Sequence, residues 1–503
     1  MKMIQEKDVF EGTNAELAPI LGELDQFIHQ AAHEGTALHE VELAVWRMVL
    51  KLGRQVLGQF LALHGPGDMG DTVTLPDGQV CRRLEGIHQR SYVSIFGEFL
   101  LERTVYGSRE GQKIDWVPLD DRLQLPAGKF SYVLQDWDQA LCVEEAFSQA
   151  ERTVQRILGL KQSVDSLERM NVQMAKQVSN FRAERALPPA EEEGELLVTS
   201  ADGKGIVMRR EEGEKAPPAH RTKGEKTSRK QMAIVGAVYT VDRYVRTPEE
   251  VVAALFREKR TETDRPKPCH KQTIASLAYT DEEGTHSGIK GTYTWLLDEL
   301  WARNRMFVKE MVHLCDGQDA LWEARDTLLP HRNSTDILDI LHVTPRLWQA
   351  AHVFHCEGSS AATAFVRQRT LSILQGKVAL VIRGLRQMGT KHGLTGSKKA
   401  NLSKVCSYLE NNQHRMRYDE YLAKGYPIAS GVIEGACRHV VKDRMERAGM
   451  HWTRDGAQAM LDVRSIHVNG DWEAYQNYRI QRETGQLHPY LSLVEGDNFQ
   501  MAA

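Results

Sequence analysis

Two aspartates stand in sequence settings that suit the binding of divalent metal ions. Asp202 lies in "SADGKG" and Asp316 in "LCDGQ", and each follows an apolar run that predicts a β-strand. A carboxylate at a strand end is held by a fixed backbone, and a following glycine lets a metal or a phosphate approach closely. An ordinary turn is the alternative explanation for each aspartate, because Asp-Gly is a common turn dipeptide.

A glutamate near the C-terminus lies in a segment that predicts one helix, "PIASGVIEGACRHVVKDRMERAGMHW", residues 427–452. Ser430 is its predicted N-cap and Gly449 its predicted C-cap. Glu434 borders the apolar stripe of this helix, and the neighbouring Gly435 has no side chain that would exclude DNA. A carboxylate placed in this way could be a third metal ligand.

Two cations follow Glu434 at intervals of one helical turn. Arg438 and Lys442 would lie on the same side of the helix as Glu434, where they could contact DNA phosphates. A surface ladder of ion pairs is the alternative explanation for this spacing.

The elements that would position the three carboxylates begin after an acidic, proline-containing linker at residues 186–195. Strands are predicted over "ELLVTSADGKGIVMRR", "QMAIVGAVYTVDRYV", "TIASLAYT", the run that ends on Asp316, and "DILDILHV". The pattern then becomes helical and basic from residue 345 to residue 418. The predicted order is a strand with Asp202, two strands, a helix, a strand with Asp316, a helical segment and the helix with Glu434.

The N-terminal part of the chain carries a different pattern. Residues 14–64 predict helices, and "QRSYVSIFGEFLLERTVYGS" predicts a β-hairpin about Gly97. Residues 148–178 predict two short amphipathic helices that are separated at Gly159, with the spacing of a helix-turn-helix. Helical hairpins of this kind also occur in proteins that do not bind DNA. If this one binds DNA, its second helix, Ser163–Lys176, is the candidate for the major groove.

Composition and charge are those of a soluble globular protein. The chain has 503 residues, of which 41% are hydrophobic and 26% charged, so we expect about two to four domains. The net charge of −4 does not indicate nucleic-acid binding, but "HRTKGEKTSRK" (residues 220–230) and "RGLRQMGTKHGLTGSKKANLSK" (residues 383–404) are strongly basic. The seven cysteines include no Cys-x-x-Cys pair, which argues against an ordinary zinc finger and against a disulfide framework. We expect a cytoplasmic protein without a membrane-spanning segment.

Several stretches between residues 199 and 478 match one known family. They are "SADGKGIVMRR", "KQMAIVGAVYTVDRYVRTPEEV", "HLCDGQDALW", "DILHVTPRLWQAAHVF", "SGVIEGACRHVVKDRMERAGMHWT" and "GDWEAYQNYR", together with "PLDDRLQLP" before the predicted helix-turn-helix. Through them the chain resembles bacterial insertion-sequence transposases of the DDE class, of the ISKra type and related to the Mutator-like group. The resemblance implies a multidomain α+β or α/β protein with a helical and β-hairpin N-terminal DNA-binding region. It also implies a ribonuclease-H-like catalytic domain that is interrupted by an all-helical insertion before its glutamate.

Carried over residue by residue, the resemblance implies Asp202, Asp316 and Glu434 as the catalytic, metal-binding triad. The implied cofactor is a pair of Mg²⁺ or Mn²⁺ ions, since these hard cations prefer oxygen ligands. Two such ions can activate a water or a 3′-hydroxyl and stabilise the leaving oxygen in phosphodiester transfer. Asp339 is the alternative second ligand. With His342 it forms an Asp-x-x-His pattern, whose usual role in related transposases is structural or substrate-facing.

The implied domain organisation runs from an N-terminal helical region to a C-terminal tail. Its segments are 1–70 (helical), 71–185 (β-hairpin and helix-turn-helix, DNA-binding), 195–344 (first part of the ribonuclease-H-like core), 345–418 (helical insertion), 419–480 (C-terminal helices of the core) and 481–503 (tail). The residues expected to contact DNA are Lys161, Arg169, Arg383, Arg386, Lys398, Lys399, Arg438 and Lys442. A solvated helical face is the alternative explanation for the cations of the insertion.

The resulting expectation is a DNA transposase that binds the terminal inverted repeats of its insertion sequence and catalyses strand cleavage and strand transfer. Its partners would be double-stranded DNA, both element ends and target, and further copies of the chain in a dimer or larger assembly. It would act in the bacterial cytoplasm, associated with the nucleoid. The alternatives are a ribonuclease-H-like nuclease or resolvase that cuts without joining, and a domesticated protein that only binds DNA.

Overall fold

The computed structural model of the chain describes residues 6–108, 114–209, 230–258, 265–281, 284–447, 449–496 and 499. The basic segment predicted at residues 220–230 therefore lies outside the described residues, apart from Lys230. The chain forms two compact units, one of residues 1–173 with 473–503 and the other of residues 174–472. The predicted domain segments divide the chain more finely than these two units, and they stay predictions.

The part of the chain up to residue 175 combines long helices with short strands. In chain order its elements are α1 (Glu6–Glu34), α2 (Leu38–His64), β1 (Thr72–Thr74), β2 (Val80–Arg83), β3 (His88–Ser94), β4 (Gly97–Arg103), β5 (Tyr106–Gly107), α3 (Pro118–Arg122), α4 (Tyr132–Cys142), α5 (Phe147–Leu158) and α6 (Val164–Ala175). The predicted hairpin is confirmed, since β3 and β4 pair antiparallel and Gly97 at their turn has a φ of +124°.

The two helices predicted on either side of Gly159 are confirmed as α5 and α6. Gly159 is the left-handed C-cap of α5, with a φ of 72°, a backbone conformation that favours glycine. Before α6, the Oγ of Ser163 accepts a hydrogen bond from the backbone N–H of Ser166 at 3.2 Å, as an N-cap does. The residues that predict the start and the end of these helices therefore lie where the helices start and end.

The remainder of the chain alternates strands and helices and then becomes helical. Its elements are α7 (Val178–Glu184), β6 (Leu196–Val207), β7 (Lys230–Val241), α8 (Pro248–Leu255), β8 (Cys269–Ser276), β9 (Tyr279–Asp281), β10 (Gly284–His286), α9 (Gly288–Arg303), β11 (Glu310–Cys315), α10 (Asp319–Leu328), β12 (Ser334–Leu338), α11 (Ile340–Phe354), α12 (Ser360–Leu374), α13 (Val378–Lys391), α14 (Gly396–Asn411), α15 (Tyr418–Ala423), α16 (Gly431–Ala436), α17 (Asp443–Met445), α18 (Arg454–Asn469) and α19 (Trp472–Leu487). A π-helical stretch, Cys437–Lys442, joins α16 to α17.

Five of the described strands form the central sheet of the second unit, in the order β12-β11-β6-β7-β8. β6, β7 and β8 pair antiparallel, whereas β11 is parallel to both β6 and β12. Both faces of this sheet are covered, so its strands are continuous apolar runs. Leu196 and Val198 belong to the core cluster that includes residues of α11 to α15. Leu197 and Ala201, on the opposite face, belong to the cluster that includes residues of α9 and α10.

Two predicted elements take a different form in the structure. The strand predicted over "DILDILHV" ends at Leu338, because Asp339 caps α11 and its Oδ1 accepts a hydrogen bond from Leu341 N at 2.8 Å. His342 therefore lies in the first turn of a helix. The single helix predicted at residues 427–452 ends at Met445 and contains the π-helical stretch. Among the described residues, no helix combines the length and the apolar character that crossing a bilayer requires.

Candidate functional site

Extended past its last paired residues, Thr199 with His313 and Cys315 with Leu338, the strand register aligns Asp202, Asp316 and Asp339 at one level of the central sheet. β6 and β11 pair at a constant offset of 114 residues (313 − 199), which also separates Asp202 from Asp316 (316 − 202). β11 and β12 pair at an offset of 23 residues (338 − 315), which also separates Asp316 from Asp339 (339 − 316). Neighbouring strands lie about 4.8 Å apart. The three residues, defined here as the aspartate row, therefore stand side by side where β11 and β12 end.

The aspartates of this row differ in their position along the strands and in their exposure to solvent. Asp316 directly follows β11 as predicted, whereas Asp202 lies within the longer β6, at the level where β11 ends. Asp202 and Asp316 are half-buried, and the side chain of Asp339 belongs to a residue that is only 1% exposed. Asp202 and Asp316 can thus be reached from solvent, and Asp339 is enclosed. Both oxygens of Asp202 also accept hydrogen bonds, Oδ1 from Gly203 N at 2.7 Å and Oδ2 from Cys437 Sγ at 3.5 Å.

Electrostatic repulsion links Asp202 to Asp316. Burial raises the pKa of Asp316, and the charge of Asp202 raises it further, while a hydrogen bond from the backbone of Gln318 lowers it. Two carboxylates that share a partly buried site resist ionising together. A cation placed between Asp202 and Asp316 would relieve this repulsion.

A second group of side chains combines Asp339, the enclosed aspartate of the row, with Glu434, the predicted third carboxylate. Ligand atoms of Asp339, His342 and Glu434 all lie within 4.8 Å of one another. Burial raises the pKa of Asp339 to about 6, with the charge of Glu434 acting in the same direction and the N–H groups of Leu341 and Ser430 opposing it. Glu434 is exposed and His342 half-buried. Among the described residues, this close group contains Glu434 and the alternative second ligand, Asp339, and it does not contain Asp202 or Asp316.

Hydrogen bonds from the strand ends fix the beginning of the helix that carries Glu434. The Oδ2 of Asp339 accepts a hydrogen bond from Ser430 N at 3.1 Å, and the hydroxyls of Ser200 and Ser430 are 3.0 Å apart. Glu434 lies in the first turn of α16, where its N–H donates to Ser430 O at 3.3 Å. Both oxygens of Asp339 are thus engaged by backbone N–H groups, which suits a residue that holds Glu434 in place.

The π-helical stretch changes the surroundings of Glu434 from those expected of a regular α-helix. A π-helical turn holds an extra residue, so side chains on its two sides are rotated relative to α-helical spacing. Arg438 pairs with Asp443, its Nε 3.5 Å from the carboxylate, and not with Glu434. Cys437 points to the site instead, with its Sγ 3.5 Å from Asp202 Oδ2. The alternative explanation, an ion pair from Glu434 to Arg438, is therefore wrong. Arg438 and Lys442 are exposed, and their contacts with DNA stay a prediction.

Two further side chains border the aspartate row, and sequence reasoning missed both. The Arg346 guanidinium lies 4.7 Å from the centre of the Tyr408 ring. Burial raises the pKa of Tyr408 to about 12, and the charges of Asp316 and Asp339 add to the effect, while Arg346 lowers it. Arg346 follows His342 by one helical turn, a spacing that could have identified it. Tyr408 comes from α14, far along the chain, and no local pattern connects it to the row.

The glycine after Asp316 has a different neighbour from the one predicted. A Cβ built on Gly317 would lie 2.4 Å from the Tyr408 ring, so the missing side chain admits Tyr408 to the edge of the site. Gly203, after Asp202, faces the side chain of Met232, which lies 2.9 Å from such a Cβ. Both glycines allow close packing within the protein.

The cations that are predicted to contact DNA are exposed, but Arg386 is already paired with a carboxylate. Arg386 is paired with Glu410 at 2.6 Å, and both residues line a cavity of about 590 Å³ with Arg383 and Lys391. Lys398 and Lys399 are exposed in the first turn of α14. In the first unit, Lys161 is exposed just before α6, and Arg169 is exposed within α6. Their contacts with DNA stay predictions.

Comparison with known proteins adds no family to this description. No protein-family model matches the chain, and no curated protein matches its sequence.

Proposed function

We propose that the chain is a DNA transposase with a ribonuclease-H-like catalytic domain, which cleaves and joins DNA strands at the ends of its own insertion sequence. One observation carries the proposal. The strand register, continued past its last paired residues, aligns Asp202 with Asp316 at one end of the sheet. At the same end, Asp339 accepts a hydrogen bond from Ser430, which precedes the helix of Glu434. Carboxylates from three separate elements would then act together at one edge of the sheet, as phosphodiester transfer with two metal ions requires.

The topology of the sheet supports the fold part of the proposal. Among the strands of the central sheet, β6 is the first along the chain and β11 the fourth, and they are neighbours in the sheet. Asp202 belongs to the first strand, Asp316 follows the fourth, and Glu434 lies on a helix after a helical segment. The resemblance implies that a ribonuclease-H-like domain takes its three carboxylates in this order, from the first strand, from the fourth strand and from a late helix.

The side chains fit a hard divalent cation. Asp202, Asp316 and Glu434 offer only carboxylate oxygens, which Mg²⁺ and Mn²⁺ prefer. The raised pKa of Asp316, caused by burial and then by Asp202, reflects a site where negative charge is in excess. When bound, two such ions would supply an activated water or 3′-hydroxyl and would stabilise the leaving oxygen.

The side chains of the protein would bind the ions, orient the DNA strand and hold Glu434 in position. Asp202, Asp316 and Glu434 bind the ions, and Asp339 positions Glu434 through Ser430. The guanidinium of Arg346 borders the row and is exposed, so it can contact a phosphate of the DNA strand. Residues of α5 and α6 in the first unit would recognise the element ends. A dimer or larger assembly would bring two ends together.

A cleavage and joining assay tests the proposal. Purified chain is incubated with labelled DNA from the sequence that flanks its gene, with Mg²⁺ or with EDTA. The variants are Asp202→Asn and Glu434→Gln, with Asp319→Asn as a matched carboxylate control outside the row. We expect cleavage in Mg²⁺ by the chain and by Asp319→Asn, and none by the two site variants.

The outcomes separate the rival functions. Metal-dependent cleavage followed by joining of the 3′ end to a second DNA identifies a transposase. Cleavage without joining identifies a nuclease or resolvase. Binding of DNA with no cleavage in either metal identifies a protein that only binds DNA, and it refutes the catalytic assignment.

A further inference from the structure

A cavity of about 300 Å³ lies in the second unit, beside the loop that leads to α16. Its wall includes Tyr244 and Arg246 after β7, the segment from Arg265 to Pro268, and Gly431 and Val432 at the start of α16. Its volume is at the lower end of the range for small-molecule sites. Three prolines in the wall, Pro266, Pro268 and Pro427, limit its backbone freedom.

The shape of this wall depends on one glycine. Gly425 has a φ of +73°, and a Cβ at this position would lie 2.8 Å from the backbone N of Tyr244. That N–H donates to Gly425 O at 2.9 Å. The residues after β7 are therefore held against the loop before α16, and the cavity is built into the fold.

Cations outnumber carboxylates among the described residues that line the cavity. These residues include Arg246, Arg265 and Lys267 and one carboxylate, Asp242. Asp242 is partly engaged elsewhere, because its Oδ1 accepts a hydrogen bond from Glu195 N at 3.1 Å. Among the described lining residues, three cations therefore stand against one carboxylate.

The guanidinium of Arg246 has hydrogen-bonding capacity to spare. One of its terminal nitrogens donates to Tyr426 O at 3.0 Å. Its Nε is buried and has no hydrogen-bond partner among the described residues, which is costly for a charged donor. Glu250, a carboxylate outside the lining whose charge acts on Arg246, accepts a hydrogen bond from Thr247 N at 2.8 Å in the capping box of α8.

Arg246 and Arg265 also repel each other. Burial lowers the pKa of Arg246 to about 10, and the charge of Arg265 lowers it further, while Tyr244 and Glu250 act in the opposite direction. Two guanidinium groups that share a recess cost free energy, and an anion between them would offset that cost.

We propose that this cavity binds a phosphate group, held by Arg246, Arg265 and Lys267. A guanidinium presents several N–H donors in a plane that matches phosphate oxygens, and Lys267 adds a point charge. The exposed positions of Arg265 and Lys267 leave the cavity open to solvent. Neither the aspartate row nor Glu434 lines the cavity, so this site is distinct from the candidate metal site.

The phosphate can come from a DNA backbone or from a small phosphorylated molecule. Gly431 and Val432 line the cavity and precede Glu434 by three and two residues. Under the proposed function, on which this choice of source rests, a backbone phosphate bound here would belong to DNA that passes close to the carboxylates. The binding of phosphate itself does not depend on the proposed function.

Calorimetric titration of the full chain with inorganic phosphate, at constant ionic strength, tests the site. The variants are Arg265→Gln, at an exposed position, and Arg246→Lys, with Arg305→Gln as a charge-matched control outside the cavity. We expect one saturable site in the unchanged chain and in Arg305→Gln. In both cavity variants the affinity for phosphate should fall about tenfold or more, and a tenfold fall corresponds to a loss of about 1.4 kcal/mol. Absence of a saturable site, or equal affinity in Arg265→Gln and Arg305→Gln, overturns the proposal.

A DNA-binding arm identifies the source. Duplex affinity is measured by fluorescence anisotropy in EDTA, so that no cleavage is needed. If Arg265→Gln weakens both phosphate and duplex binding, and Arg305→Gln neither, the group belongs to the DNA backbone. If it weakens only phosphate binding, the site takes a small phosphorylated ligand. A chain that binds phosphate but never cleaves DNA would refute the proposed function and leave this site standing.

Discussion

The three aspartates of the row share a level in the sheet and differ in what their oxygens do. Both oxygens of Asp339 accept backbone hydrogen bonds, from Leu341 and from Ser430. Asp316 is half-buried and accepts a hydrogen bond from Gln318 N at 2.9 Å. A carboxylate with both oxygens engaged and almost no exposure supports the fold, and a more exposed one near a second carboxylate can bind a cation. Under the proposed function, Asp316 is for this reason the better candidate for the second ligand.

Replacement of Asp316 by asparagine should separate stability from activity. The folded-state pKa of Asp316 is raised by burial and by Asp202, so its ionised form destabilises the fold increasingly as pH rises above the unfolded pKa of about 3.9. In EDTA, Asp316→Asn should therefore raise the free energy of unfolding at pH 7.5 by about 0.5–2 kcal/mol and change it little at pH 4. DNA cleavage in Mg²⁺ should fall more than about 100-fold.

Denaturant unfolding at the two pH values and the cleavage assay check this prediction. Asp319→Asn, at an exposed position, is the control and should change neither quantity. A variant that loses stability at pH 7.5 would show that the Asp316 carboxylate supports the fold.

At the scale of elements, local patterns predicted most helices and strands, but they missed the start of α11 at Asp339 and the π-helical stretch, and they do not show pairing between distant segments. Gly97 and Gly159 mark their turns because their conformations are set by neighbours in sequence. The alignment of Asp202 with Asp316 depends on a register across 114 residues (316 − 202), which no local pattern encodes. The approach of Tyr408 to Gly317 likewise depends on tertiary packing, so the sequence names candidate carboxylates without naming their other neighbours.

A pair of glycine substitutions tests how tightly α9 packs on the sheet. A Cβ on Gly288 would lie 2.3 Å from the backbone oxygen of Ser276 at the end of β8, and backbone cannot move aside as a flexible side chain can. Gly288→Ala should destabilise the chain by about 1–3 kcal/mol. Gly384→Ala, inside α13 with nothing within 4 Å of the new Cβ, should stabilise it by about 0.5–1 kcal/mol.

Chemical denaturation of both variants measures these free energies. Equal effects of the two substitutions would contradict the close packing of α9 against β8.

A buried carboxyl group on α4 gives the first unit a pH-dependent weakness. Asp138 is 0% exposed, and the Nε2 of Gln162 donates to its Oδ1 at 3.0 Å. Burial raises the pKa of Asp138 to about 7, partly offset by Gln162. A carboxyl with a raised folded pKa costs stability as pH rises from about 3.9 through about 7. Asp138→Asn should therefore stabilise the chain by on the order of a few kcal/mol at pH 8 and change it little at pH 4.

Thermal unfolding followed across this pH range measures the difference between the variant and the unchanged chain. Glu168→Gln removes an exposed carboxylate from α6 and is the control. If Asp138→Asn destabilises the chain at pH 8, the carboxylate is instead needed in its charged form.

For the whole molecule, charge distribution matters more than net charge. The chain carries a net charge of −4, yet exposed cations gather in the helical segment after α11. Some of them are engaged: Arg367 contacts Glu258 and Arg386 contacts Glu410. Only cations without such a partner can release counterions fully when they meet DNA phosphates.

Substitution of Arg383, Lys398 and Lys399 by alanine should therefore weaken DNA binding. For every cation that binds a phosphate, its removal should reduce the slope of log affinity against log salt by about 0.9. Arg386→Ala, which removes a cation already paired with Glu410, should have a smaller effect and is the matched control. Anisotropy titrations at several salt concentrations measure both slopes. An unchanged slope in the triple variant would assign these cations to a solvated helical face.

The most direct test of the central claim is the binding of Mn²⁺, measured by electron paramagnetic resonance on the purified chain. We expect two ions per chain, with binding reduced in Asp202→Asn, Asp316→Asn and Glu434→Gln and retained in Asp339→Asn, whose oxygens hold backbone N–H groups. Binding that is abolished by Asp339→Asn and unaffected by Asp202→Asn would move the metal to Asp339, His342 and Glu434, which lie within 4.8 Å of one another. No binding at all would contradict the metal site and the cleavage chemistry that depends on it.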